Sequence, residues 1–128
     1  MLIKRAQNKF AEVWIENDIL YFSYAPIENL NLTIAKSLLR LRLSVQNNKS
    51  YPILCDLRKV VQADKQAMDY LAKEGSDQAT AVALLVSYPH SKFTAEFYLN
   101  TSLPKIPTEI FQDKLKALAF LRNYPKSH

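Results

Sequence analysis

A few side chains in this sequence are of the types that carry acid–base or nucleophilic chemistry. Asp56 and Asp64 are candidate carboxylates, and His90 with Ser87 offers a base beside a hydroxyl group. Paired carboxylates do general acid–base work only at a separation of a few ångströms, and a triad needs its nucleophile held in a fixed geometry. Chain spacing establishes neither, so we favour structural roles. These are an N-cap for Asp64, a surface loop for His90, and backbone N–H bonds or pairing with Arg58 for Asp56.

The composition argues against most cofactor and metal chemistry. The chain has one cysteine and two histidines, one of which is the last residue, so a zinc site built from the protein alone is not expected. Cys55 stands within an apolar run, where a buried and inert thiol is the expected state. The single glycine, Gly75, excludes the Gly-rich dinucleotide turn, the Walker A loop and the GxSxG elbow. We therefore predict no enzyme activity, no cofactor and no metal site.

Charge and hydropathy limit the partners. Lysine and arginine number 17 against 12 acidic residues, a net charge of +5. The cations are scattered, with no run of four, so we predict no specific nucleic-acid binding. The longest apolar run, Ala79 to Val86, is far short of the ~20 residues that span a bilayer. With one cysteine and no apolar leader, the sequence predicts a cytoplasmic protein without a membrane span.

The first third of the chain predicts a hairpin followed by a long helix. The β-rich runs Phe10–Glu16 and Ile19–Tyr24 flank an Asn-Asp pair, and both residues tolerate the positive φ of a tight turn. Asn31 is a favourable N-cap for a helix over Leu32–Gln46.

The remainder of the chain alternates strands with helices. Asp64 is predicted to cap a helix that ends at Gly75, since glycine favours the C′ position. Ser91 and Asp113 are predicted to cap the two later helices. The predicted strands are Tyr51–Leu57, Ala79–Ser87 and Thr108–Phe111, and the two later helices run from Lys92 to about Thr101 and over Lys114–Asn123.

The element order is therefore β-β-α-β-α-β-α-β-α over residues 1–128, a length that fits a single domain. Strands that alternate with helices imply parallel pairing with right-handed crossovers. The predicted fold class is α/β, with a mixed, mostly parallel sheet, an N-terminal β-hairpin and about four helices.

This order and several short strings resemble the STAS-like group, which is defined by anti-sigma-factor antagonists and the cytoplasmic tails of sulfate transporters. The nearer likeness is to an uncharacterised bacterial STAS-like family, distantly similar to CRAL-TRIO lipid-binding domains. The strings are YPILCDLRKV at Tyr51–Val60, the helix around Ala67–Lys73, AVALLVSYP at Ala81–Pro89 and PTEIFQDKLKALAFL at Pro107–Leu121.

The resemblance implies a regulatory role, with one departure. The antagonists are phosphorylated on a serine in a D-S-S-G-like string at the start of a helix. The corresponding string here runs from Asp64 to Ala67 and contains no serine or threonine. We therefore expect a non-catalytic regulatory or protein-interaction module of STAS-like type that lacks this phosphorylation site. The alternative is a small-ligand or lipid-binding domain of CRAL-TRIO-like type.

Two groups of residues are candidate interaction sites. The carboxyl ends of parallel strands face the usual ligand crevice of an open α/β sheet. The predicted ligand or partner edge therefore consists of Asp56, Arg58, Asp64 and His90. Asp56 also resembles the acidic residue of the STAS string. Helices with more than one apolar arc can present the second arc to a protein partner or to a second copy of the chain in a homodimer. The predicted interaction faces contain Leu39, Leu43, Phe93 and Phe97.

Overall fold

The protein is described by a computed structural model covering residues 4–87 and 89–127, with only the backbone given for residue 90. In chain order the elements are β1 (Lys4–Gln7), β2 (Ala11–Glu16), β3 (Ile19–Tyr24), β4 (Ile27–Leu30), α1 (Leu32–Gln46), β5 (Tyr51–Asp56), β6 (Val60–Ala63), α2 (Lys65–Lys73), a 3-10 turn (Glu74–Ser76), β7 (Ala79–Leu85), α3 (His90–Thr101), β8 (Thr108–Phe111) and α4 (Lys114–Leu121). None of the helices in these ranges is long and apolar enough to cross a membrane.

The main sheet is mixed and mostly parallel, as the sequence predicted. Its strand order is β1-β2-β3-β5-β7-β8. The first three strands pair antiparallel, and β3, β5, β7 and β8 pair parallel. Three strands were not predicted: β1 at the sheet edge, and β4 and β6, which form a separate parallel ribbon. Each has only four residues, and several of them are exposed, so no apolar run marks these strands in the sequence.

The predicted hairpin is confirmed, and its turn has the backbone that the sequence indicated. Asn17 and Asp18 have φ angles of 53° and 63°. Both values lie in the left-handed region required by a two-residue turn that matches the twist of the flanking strands. The turn places Val13 opposite Phe22 and Trp14 opposite Tyr21.

Of the four predicted helix caps, Asn31 and Asp113 are confirmed, whereas the Asp64 and Ser91 side chains do not cap their helices. The Asn31 side chain accepts a hydrogen bond from the Ile34 N–H at 2.9 Å, and Asp113 accepts from the Leu115 N–H at 2.8 Å. Asp64 precedes α2 but makes no capping bond. Its carboxylate accepts a bond from the Asn29 side chain at 3.0 Å instead, because the β4–β6 ribbon brings that amide beside it.

Gly75 follows the C-cap residue of α2, as predicted, but its backbone conformation differs from the expected one, and the predicted start of α3 is wrong. Gly75 was expected as a left-handed C′ residue, yet no glycine in the described chain has a positive φ. Helix α2 ends at Lys73 and tightens into the 3-10 turn that contains Gly75. Helix α3 begins two residues before its predicted start. Ser91 therefore lies inside its first turn, where the hydroxyl accepts a bond from the Ser87 N–H at 2.8 Å rather than capping the helix.

The helices cover the two faces of the sheet unequally. Helices α1, α2 and α3 supply residues to the cores on one face, where alternate residues of β3, β5 and β7 point inward. Helix α4 packs on the other face against β5 and β7, through Ala117 and Leu121. The side with three helices also carries the β4–β6 ribbon, whose strand β6 packs against α3. This side of the sheet contains the candidate site.

Candidate functional site

An apolar cavity of about 110 Å³ lies between the sheet and the three helices, and it is partly open to solvent. Its floor is the inward face of β3, β5 and β7, and its walls come from α1, α2, α3 and the β4–β6 ribbon. The cavity therefore exists because the ribbon and three helices do not close completely over the sheet. Most of its lining residues are apolar, namely leucine, valine, isoleucine, methionine, alanine and phenylalanine.

Arg42 is the charged residue in the cavity wall. It lies in α1 and its side chain is only 4% exposed. The guanidinium donates to the Gln46 side-chain oxygen at 2.6 Å, and to the backbone carbonyls of Gly75 and Asp77 at 2.8 and 3.0 Å. Gln46 in turn donates to two more backbone carbonyls. This network ties α1 to the turn between α2 and β7 and fixes the cation at the cavity.

Two tyrosines and the cysteine are further polar residues of the lining. Tyr24, in β3, is 8% exposed, and Tyr98 comes from α3. Burial raises the pKa of both phenols, so both are protonated hydrogen-bond donors at neutral pH. Burial raises the pKa of Cys55 to about 12. The Cys55 thiol is therefore uncharged at neutral pH, as expected of an inert cysteine.

Asp56 and Arg58 form an ion pair at the predicted edge of the sheet. The guanidinium of Arg58 donates to both carboxylate oxygens of Asp56, at 2.8 and 2.7 Å. Burial raises the pKa of Asp56, but the hydrogen bonds and charge of Arg58 outweigh it, so the net pKa is lowered. This geometry is the structural alternative foreseen for Asp56, because a carboxylate held by two charged bonds is a weak base.

The other predicted edge residues are only partly brought together. The loops after β5 and β7 meet, since the Ser87 hydroxyl donates to the Arg58 carbonyl at 3.4 Å. Residue 90 follows the second loop as the first residue of α3, and its side chain lies outside the described part of the structure. Asp64 is bonded to Asn29 of the ribbon. Within residues 4–87 and 89–127, no three His, Cys, Asp or Glu side chains are close enough to hold a metal ion.

The predicted interaction faces of the helices separate into inner and outer residues. Leu39 is 8% exposed and lines the cavity, so it is not part of an exposed face. Leu43 is half-buried. Phe93 and Phe97 of α3 are 62% and 50% exposed. The surplus apolar arc of α1 is therefore taken up by packing on α2 and the sheet, whereas that of α3 reaches the surface.

Comparison with known proteins identifies the family and the fold. Residues 13–125 match the family described as a domain of unknown function, DUF7793. The chain belongs to that family. A search of the curated proteins found no match.

A solved structure with a SpoIIAA-like fold is similar to this chain over nearly its whole length. It is the crystal structure of an uncharacterized protein of the DUF3478 family from Shewanella loihica PV-4. The TM-score is 0.60 at 16% sequence identity, and the match covers 94% of this chain and 96% of that one. SpoIIAA-like is the antagonist type of STAS fold, so the predicted STAS-like α/β fold is confirmed.

The cavity residues were not singled out from the sequence, although one signal for Arg42 was available. At 100° per residue, Arg42 lies about 40° from Leu38 and about 20° from Ala35 on the helix. Both neighbours are buried, at 1% and 0% exposure. A cation in line with the buried residues of a helix indicates an interior role rather than a solvated one.

Proposed function

We propose that this domain is a non-catalytic regulatory module whose input is a small, largely apolar molecule bound in the cavity. The observation that carries the proposal is the cavity itself, about 110 Å³ with mainly apolar walls. It corresponds to the ligand-binding alternative that the sequence left open, and it combines with the regulatory role that the STAS-like fold suggests.

The volume of the cavity is the first argument for a ligand. Protein interiors pack so closely that voids larger than a water molecule are few. The cavity is apolar and partly open to solvent, so a ligand that fills it would remove apolar surface from water. An apolar cavity of about 150 Å³ is known to hold benzene. A cavity of about 110 Å³ is somewhat smaller, so a ligand the size of benzene would fill it and extend into its opening.

The chemistry of the nearby groups supports binding rather than catalysis. The Asp56 carboxylate is held by Arg58 and its pKa is lowered. Cys55 lines the cavity but has a raised pKa, so the nucleophilic thiolate is scarce. Neither side chain is activated as a base or as a nucleophile.

The position of the cavity suggests how binding would be communicated. Its lining includes Ala95 and Tyr98 of α3 and Val60 and Ala63 of β6, two elements that pack on each other. A ligand that fills the space adds contacts to both and stabilises their packing. The outer surface of α3 would thereby report whether the cavity is occupied.

The test uses toluene as an apolar probe and a variant that fills the cavity. Toluene binding is followed by NMR chemical shifts and by the rise in melting temperature. Ala63→Leu places three more carbon atoms at the cavity lining and is expected to weaken toluene binding at least tenfold. Ala119→Leu makes the same change at an exposed position of α4 and is the matched control. Equal toluene affinities for the two variants and the wild type would contradict binding in this cavity.

A second candidate function, binding of a protein partner or of a second copy, is favoured by one specific surface. Phe97 is 50% exposed on α3 and Val61 is 50% exposed on β6, which packs against α3. Phe93 is 62% exposed one helical turn before Phe97. Exposed apolar side chains on two elements that pack against each other are typical of interaction surfaces. We propose the cytoplasm as the location of the protein, since its single cysteine suits a reducing compartment.

A further inference from the structure

We propose that the molecule bound in this cavity carries a single carboxylate, which the Arg42 guanidinium and the Tyr24 hydroxyl hold while its apolar part lies against the hydrophobic walls. The inference rests on the proposed function and names the class of ligand, a small monocarboxylic acid. Three observations lead to it: a buried cation without an ion-paired acid, unused donors on that cation, and a phenol hydroxyl at the same cavity that bonds to none of the described residues.

The first observation is that the charge of Arg42 is buried without an ion-paired acid, since the Asp77 carboxylate acts on it only from beyond ion-pair distance. Arginine is seldom fully buried unless an acid pairs with it. In the part of the chain that the structure describes, no carboxylate lies within ion-pair distance of Arg42. Its three partners are an amide oxygen and two backbone carbonyls. Neutral dipoles at the end of α2 lower the cost of the charge, but they do not neutralise it.

The second observation concerns the hydrogen bonds of the guanidinium. Arginine has five N–H donors and remains protonated in proteins. The bond to Gln46 uses one donor on Nη1, and the bonds to Gly75 and Asp77 use both donors on Nη2. The Nε–H and the second Nη1–H therefore have no acceptor among the described residues. Arg42 lines the cavity, so a bound oxygen acceptor can take their hydrogen bonds there.

The third observation is the Tyr24 hydroxyl. A buried tyrosine usually finds a hydrogen-bond partner for its hydroxyl. Tyr24 is 8% exposed and lines the same cavity as Arg42. Its hydroxyl makes no hydrogen bond to any residue in the ranges described above. Burial raises the pKa of the Tyr24 phenol, and the positive charge of Arg42 opposes that rise.

The balance of charge selects the type of anion. One guanidinium compensates one negative charge, whereas a phosphate monoester at neutral pH carries between one and two. The Cys55 thiol and the Tyr98 phenol in the wall both have raised pKa values, so neither competes as an anion at neutral pH. Most of the cavity wall is apolar, which requires that the rest of the ligand be hydrocarbon. A carboxylate on a short aliphatic or aromatic body meets all three requirements.

The experiment compares three probes of similar shape that differ in charge and polarity. Benzoate, benzamide and toluene are titrated into the wild-type protein, and dissociation constants are taken from calorimetry or NMR. We expect benzoate to bind at least about tenfold more tightly than benzamide, because bonds between two charged groups are roughly twice as strong as neutral ones, and the neutral amide cannot compensate the Arg42 charge. Toluene binding without a preference for benzoate would overturn the proposal that the ligand carries a carboxylate, and it would leave the proposed function standing. Failure of all three probes to bind would overturn both.

Two variants locate the carboxylate. Arg42→Met keeps the length of the side chain and is expected to abolish the preference for benzoate while toluene still binds. If this variant does not fold, Tyr24→Phe provides the test, because it removes one oxygen atom. We expect it to weaken benzoate binding about fivefold. Tyr51→Phe, at a tyrosine that is 6% exposed and outside the cavity lining, is the control. A Tyr24→Phe variant that binds benzoate as well as the control would contradict the assignment.

Discussion

The network that holds Arg42 in the cavity wall makes a quantitative prediction for Gln46→Met. Gln46 is fully buried, at 0% exposure. Its side-chain oxygen accepts from Arg42 at 2.6 Å, and its nitrogen donates to the carbonyls of Lys49 and Gln78 at 3.0 and 2.7 Å. Methionine has nearly the same length and shape, so the substitution removes three hydrogen bonds and leaves the packing largely intact.

The magnitude follows from the groups that lose a partner. Two partly buried carbonyls lose a neutral hydrogen bond, at about 1 kcal/mol each, and the Arg42 cation loses an acceptor, at about 1.5–3 kcal/mol. The greater hydrophobicity of methionine returns about 1 kcal/mol. The expected loss is therefore roughly 3 kcal/mol, a large part of the 5–15 kcal/mol that typically stabilises a domain.

The assay is equilibrium unfolding in urea, followed by far-UV circular dichroism. With an m-value of about 2 kcal/mol per molar urea, the midpoint of Gln46→Met should fall by about 1.5 M. Gln66→Met makes the same change at an exposed position of α2 and should shift the midpoint by no more than about 0.25 M. A decrease below about 0.5 M for Gln46→Met would refute the view that this network carries substantial stability.

Three other predictions concern single features of the structure. Gln78 has a φ of 56° and a buried side-chain oxygen without a partner among the described residues, so Gln78→Gly should raise the free energy of unfolding by about 1 kcal/mol in urea titrations. Asp56→Asn should cost at most about 1 kcal/mol at pH 7. Arg58 lowers the pKa of Asp56 in the folded protein. The stability difference between the wild type and Asp56→Asn should therefore be complete above about pH 4 and disappear as the pH falls through the folded pKa. A stability difference that persisted at pH 2 would contradict the ion-pair explanation. Light scattering over a hundredfold concentration range tests self-association: Phe93→Glu with Phe97→Glu should convert a dimer into a folded monomer, and a wild type that is monomeric throughout would remove support for the homodimer.

Local signals account for most of what the sequence predicted correctly. The Asn17-Asp18 turn depends on two residues that tolerate a positive φ. The Asn31 cap depends on a side chain that accepts a hydrogen bond from the N–H three residues later. Such interactions involve residues that are neighbours in the chain. The central strands β5 and β7 were equally visible, because continuous apolar runs mark strands that are covered on both faces.

The predictions failed where a hydrogen bond to a residue far away in the chain replaced the expected local interaction. The Asp64 carboxylate makes no capping bond and instead accepts a hydrogen bond from Asn29, which lies 35 positions earlier in the chain. Gly75 was expected to end α2 in a left-handed conformation, but the turn around it offers its carbonyl to Arg42, 33 positions away. Neither partner can be recognised from nearby residues, so local rules predicted the position of each element and missed what its end contacts.

The sequence by itself determined the α/β class, the hairpin, the four helices and the scarcity of catalytic groups, since these follow from periodicity, turn chemistry and composition. Only the tertiary structure decided that a ribbon of two short strands and three helices leave a cavity over the sheet. It also decided that Arg42 and Tyr24, 18 positions apart and on different elements, both line that cavity. A cavity is a property of packing between segments, and the free energy of a buried charge depends on every group around it. Both are therefore fixed only when the whole chain has folded.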